Sequence, residues 1–125
     1  MIPRRDYNDI ISEINYIKEI VIQNRNLSLS TKDKFIIIVH EFTSLLRLTF
    51  EGKKISEERI SHSNIKILLL LETDDNDIIQ LYANFLTSLL ITIKELEFYE
   101  FYRILFSFFN NKLIELTDGV LENLI

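Results

Sequence analysis

The residues that could carry chemistry are two histidines, an acidic run at 72–77 and fourteen lysines and arginines, spread along 125 positions. His40 lies beside Glu41 in an apolar stretch, with Ile36, Ile37 and Ser44 at its helical spacings. A metal pair on a helix needs a second ligand three or four residues away, and none stands there. His62 sits between Ser61 and Ser63, which suggests a base beside a nucleophile. Adjacent residues on a helix point in different directions, so the dyad does not form locally. Both histidines read as packed or surface side chains.

Glu72, Asp74, Asp75 and Asp77 raise the question of calcium. A calcium loop needs a Gly in its middle and a closing Glu about twelve positions on. The run contains no Gly, and position 83 is Ala. The same carboxylates suit a helix end followed by a helix start. There Asp74 and Asp77 would satisfy free backbone N–H groups and face the positive end of the helix dipole. Gly52 and Gly119 are isolated, which excludes a phosphate-cradling loop. No nucleophile elbow, paired catalytic acids or zinc pattern is present, and without Cys there is no thiol chemistry or disulfide. The expectation is a protein that is not an enzyme and carries no cofactor and no metal.

The basic residues are sparse but grouped. Arg47, Lys53, Lys54, Arg59 and Lys66 fall within one helix end, one loop and the next helix, and Lys32 and Lys34 lie at the other end of that first helix. Together they could face a phosphate backbone. They could equally be an ordinary solvated surface.

Composition decides what positions these groups. Hydrophobic residues make up 47% while Gly is 2 and Pro is 1, which argues for a few long helices rather than strands and turns. The length fits a single domain, 1–125, with a core of its own. Apolar residues at Tyr7, Ile10, Ile11, Ile14, Ile17 and Val21 repeat at the helical period and predict a first helix from about Asp6 to Gln23. A second is expected to open at Ser30-Thr31-Lys32-Asp33 as a capping box and run to about Phe50. Its inward face would be Phe35, Ile38, Val39, Phe42, Leu45, Leu46 and Thr49. Gly52 would stop it. Ser56 then caps a third helix, whose apolar pattern breaks at Ser61 to Asn64, so that a weak start or a bend before Ile65 is expected.

The stretch from Asn64 to Lys94 reads as the organising pair. Ile65 to Leu71 is apolar everywhere except Lys66, so the middle of the core is predicted for it. A fourth helix, about Asp75 to Ile93, presents Ile78, Ile79, Tyr82, Phe85, Leu86, Leu89, Leu90 and Ile93. Lys94 to Glu97 connects it to a fifth, about Leu96 to Leu116. Phe98, Phe101, Tyr102, Leu105, Phe109, Leu113 and Leu116 share one side of that helix, while Tyr99, Phe106 and Phe108 lie off it. The fold class expected is all-α, a compact bundle of about five helices.

The net charge of −5 argues against a grip on nucleic acid by overall electrostatics. Arg4 and Arg5 are followed by Asp6 rather than an apolar run, so no secretory leader is expected. No apolar stretch reaches the roughly 20 residues of a membrane span. A cytoplasmic protein with no membrane partner is the expectation. The aromatic excess of the last helix, with Tyr99, Phe106 and Phe108 as candidate interface residues, points to a protein partner.

The order of segments resembles the small, all-helical inner-filament subunit of type III-A CRISPR effector complexes, the Csm complexes. The residues carrying the likeness are LSLSTKDKF at 27–35 and an apolar helix ending in the loop at 50–54. ISEERI at 55–60, IKILLLLE at 65–72, ITIK at 91–94 and ELEFYEFYRILFSFF at 95–109 complete it. It covers roughly residues 27–110 and rests on pattern and order. The chain differs from the family in being acidic, and it has Asp75 where Arg is common.

The resemblance implies a non-catalytic subunit that stacks in several copies along a filament, beside other subunits of a CRISPR effector complex. Such a subunit contacts CRISPR RNA and target RNA, here through Lys32, Lys34, Lys53, Lys54 and Lys66. The alternative, from a different class, is a viral or mobile-element helical inhibitor, such as an anti-CRISPR protein or a host-protein decoy. It would act through its apolar surface.

Overall fold

The computed structural model describes residues 2–72 and 75–108. It places five helices there, and no strand among the described residues: α1 (Arg4–Gln23), α2 (Leu29–Phe50), α3 (Glu57–Leu71), α4 (Asn76–Glu95) and α5 (Tyr99–Phe106). The bundle is all-α, as the apolar periodicity requires.

α2 and α4 form the centre. Each buries nine residues, and every position expected on their inward faces is among them. Phe42 is the hub: its ring lies 6.1 Å from Tyr82, 5.9 Å from Phe85 and 5.0 Å from Phe108. Phe35 meets Phe85 edge-on at 5.6 Å. These offset and edge contacts are the arrangements that aromatic quadrupoles favour. α1 runs antiparallel to α2, because Tyr7 at its start stacks on Phe50 at the end of α2, with centroids 4.1 Å apart. It buries Ile10, Ile14 and Val21, the middle of its predicted stripe.

The prediction for Ile65 to Leu71 is overturned. α3 lies at the rim and buries only Ser63 and Ile67. Ile65 is 56% and Leu69 63% exposed. A helix apolar nearly all round can turn any side to its neighbour, and hydropathy alone does not say which. α3 is helical through Ser61 to Asn64, where the apolar pattern breaks.

The helix ends show how backbone chemistry sets the boundaries. α2 starts at Leu29 rather than within the expected capping box at Ser30, because Ser28 is the cap. Its hydroxyl accepts the Thr31 N–H at 3.1 Å and lies 2.9 Å from the Thr31 hydroxyl. Ser56 caps α3 as expected, accepting the Arg59 N–H at 3.1 Å. Asp75, rather than Asp74 or Asp77, caps α4 by accepting the Ile78 N–H at 3.2 Å. Asp77 sits in the first turn, and Asp74 lies outside the described residues.

Gly52 ends α2 at φ +77°, donating to the Thr49 carbonyl while Lys53 N–H reaches Leu48. The same pair of bonds closes α4. Glu97 N–H donates to Lys94 and Phe98 N–H to Ile93, with Glu97 itself at φ +58°. This turn delays α5 to Tyr99, where Leu96 was expected. The expected continuation of α5 through Phe109, Leu113 and Leu116 lies outside the described residues.

Candidate functional site

α3 and α2 meet through polar groups. Arg59, Ser63 and Lys66 are spaced four and three apart, so all three project from one side of α3. They converge on a single carboxylate of α2, Glu41, whose side chain is 7% exposed. Its Oε1 accepts from Ser63 Oγ at 2.6 Å and from Arg59 Nη1 at 2.7 Å, and its Oε2 from Lys66 Nζ at 3.4 Å. Arg59 Nη1 also donates to Ser63 Oγ at 2.9 Å. Burial alone would raise the Glu41 carboxyl. The hydrogen bonds from Ser63 and Arg59 and the charges of Lys66 and Arg59 outweigh it and hold the group below its ordinary value.

This cluster is a structural junction in its chemistry. Ser63 is fully buried and already donates to an ion-paired carboxylate. It therefore has neither access to a substrate nor a free base. His62, one residue away, is exposed, and so is His40 beside Glu41. Sequence reading weighed His40 and passed over Glu41, because a lone acid in an apolar helix becomes informative only when its partners are known.

A second acid, Asp75, ties the start of α4 to the start of α2. Thr31 Oγ1 donates to it at 2.5 Å, and Lys34 Nζ stands 3.6 Å away. Burial would raise the Asp75 carboxyl. The bonds from Thr31 and the Ile78 backbone, with the charge of Lys34, lower it instead.

The basic candidates fare unevenly. Lys34 pairs with Asp75, Arg59 and Lys66 with Glu41, and Arg47 and Lys53 with Glu51 at 3.9 and 3.1 Å. Among the described residues, Lys32 and Lys54 make no ion pair. Five of the seven candidates are thus ion-paired within the chain, sharing three carboxylates. The candidates also belong to different ends of the bundle: Lys32 and Lys34 stand at the start of α2, and Arg47, Lys53 and Lys54 at and beyond its end.

Of the aromatic interface candidates, Tyr99 is 57% exposed. Phe106 is half-buried against the core and lies 5.8 Å from the Tyr102 ring. Phe108 is fully buried against Phe42, and its carbonyl accepts the Tyr82 hydroxyl at 3.4 Å. It is a core residue and not an interface one. The chain turns after α5 and carries this ring inward, which helical periodicity does not anticipate.

The exposed apolar side chains that sequence reading did not single out are Tyr16, Ile20, Leu29, Ile36, Ile37, Ile65, Leu69 and Ile91. Ile65 and Leu69 are one turn apart on α3.

A cleft of about 590 Å³ opens between the α2–α3 turn, α3 and α5. Ile55, Ile60 and Ile104 line it together with Lys54, Glu57 and Arg103. Charges of both signs and the polar groups of Ser61, Asn64 and Ser107 stand there beside apolar side chains. Among the described residues no cluster of His, Asp and Glu could hold a metal ion, and no helix is long and apolar enough to cross a membrane.

No family model, curated protein or solved structure matches this chain.

Proposed function

We propose that this protein is a non-catalytic helical interaction module that works by binding other proteins through its apolar surface. The observation that carries this reading is the exposure of Ile37, Ile65 and Leu69 on the α2–α3 side of a bundle whose core is already filled by α2 and α4. Apolar area left in water favours burial against a partner by about 25 cal/mol per Å².

The more specific form of the proposal follows the resemblance: a small subunit of a type III CRISPR effector complex, cytoplasmic and part of antiviral defence, stacking beside its neighbours. In that setting protein contacts would hold it in place. RNA contacts would fall mainly to Lys32 and Lys54, the candidates without an ion pair among the described residues. The second reading, a viral or mobile-element inhibitor of a host protein, is favoured by the pairing of the other five cations with three carboxylates of the chain.

Affinity capture of the tagged protein from its native cell, with mass spectrometry and RNA sequencing of what is recovered, separates the two. A multi-subunit particle carrying short repeat-derived RNAs supports the subunit reading. One dominant protein without RNA supports the inhibitor. Recovery of RNA alone, lost on substitution of Lys32 and Lys54 by Glu, would overturn the protein-binding proposal itself.

A further inference from the structure

α3 turns Ser63, Ile67 and, in part, Ile60, Leu70 and Leu71 to the bundle, while Arg59 and Lys66 reach Glu41 from partly exposed positions. Arg59, Ser63 and Lys66 face α2, while Ile65 and Leu69 face water. Of its fifteen residues only Ser63 and Ile67 are fully buried, with Ile60, Leu70 and Leu71 packed partly against the core. α2 and α4 each bury nine. What holds α3 in place is therefore concentrated in one carboxylate and the three side chains it collects.

The flanking chain permits movement. Gly52 takes φ +77° with nothing within 4 Å of where a Cβ would stand, and the residues after it up to Lys54 are exposed. Beyond α3, the start of α4 is anchored separately, through Asp75 to Thr31 and Lys34 of α2. α3 can leave without taking α4 with it.

We propose that α3 is an arm that opens from the bundle as a unit, held shut by Glu41. In the closed state Arg59, Ser63 and Lys66 close on the carboxylate. In the open state all four groups are hydrated, Ile67 and the partly buried Ile60, Leu70 and Leu71 are exposed, and the α1–α2–α4–α5 core keeps its packing. The loss on opening is limited because ions returned to water recover their hydration, and little apolar area is given up. Whatever partner the protein takes, a ligand that engages the open arm binds an element that moves without unfolding the rest.

Amide hydrogen exchange of the full chain in low urea, read helix by helix, tests this. In the wild-type protein the α3 amides are expected to exchange about ten-fold or more faster than those buried in α2 and α4, and with a weaker dependence on urea. Glu41→Gln keeps the shape and removes the charge, and is expected to accelerate α3 by a further ten-fold or so while changing α4 far less. Exchange of α3 at the same rate and with the same urea slope as α2 and α4 would overturn the proposal. So would a Glu41→Gln effect spread equally over all helices. The wild-type comparison stands by itself if the variant does not fold.

Discussion

Phe42 and Glu41 are neighbours in α2 that do opposite kinds of work. Phe42 is fully buried among Tyr82, Phe85 and Phe108. Truncation there removes the ring and leaves a cavity between α2, α4 and the turn after α5 that cannot fully collapse. Phe42→Ala is expected to cost about 3–5 kcal/mol, measured as a fall in the urea midpoint with the slope unchanged. Glu41 contributes through charge. Its carboxyl, like that of Asp75, lies below its ordinary value in the folded state. A group whose folded value is depressed adds stability that is complete above its unfolded value and is lost as pH falls through the folded one. The urea midpoint should therefore be level from neutral pH down to about 4.5, the ordinary glutamate value, and then drop. Glu41→Gln should flatten part of that drop. An unchanged acid limb in the variant would show that Glu41 is not one of the groups responsible.

At the scale of elements, some helix ends carry a residue suited to the position and others do not, as at Pro3 and Phe98, which give no side-chain cap to α1 and α5. Ser28, Ser56 and Asp75 each bond the backbone N–H three residues on. Gly52 occupies the left-handed position that closes α2, where a side chain would be strained. Glu97 occupies the equivalent position closing α4 and bears that strain. Glu97→Gly is expected to stabilise the protein by about 0.5–1 kcal/mol, the relief of strain exceeding the added freedom of the unfolded chain. Calorimetry should show Tm rising by about 2–4 °C. A fall in Tm would mean that the Glu97 side chain contributes something its backbone angle does not reveal.

Taken whole, the molecule pairs most of its candidate basic residues with acids of its own and leaves several large apolar side chains exposed. Five of the seven basic candidates pair with Glu41, Glu51 or Asp75. Ile65 and Leu69 stand in water. Replacing both by Asp is expected to leave Tm within about 1–2 °C of wild type, since exposed positions carry little of the stability. The same change should abolish recovery of the native partner in affinity capture. Capture that survives the double substitution would direct attention to Tyr99 and Phe106 on α5. Replacing Lys32 and Lys54 by Glu should leave protein recovery intact and reduce only the RNA.

By itself the sequence determined the number and kind of elements, and the inward faces of α1, α2 and α4. Those faces follow from apolar residues recurring three and four apart, a local pattern that must be buried whatever the neighbours are. It also marked Gly52 and Ser56 as helix boundaries, since a left-handed turn and an N-terminal cap each depend on a few adjacent residues. Only the tertiary structure decided which apolar helix lies at the centre. Ile65 to Leu71 is as hydrophobic as any stretch of α4, yet α3 sits at the rim because Glu41 selects the side carrying Arg59, Ser63 and Lys66. The partners of Glu41 lie 18, 22 and 25 residues away, and Thr31 is 44 residues from Asp75. Pairings at that range arise from how helices are laid side by side, and no local spacing encodes them. The same distance explains the basic stripe. Each cation was visible in the chain, but whether it faced solvent or an acid was settled by packing.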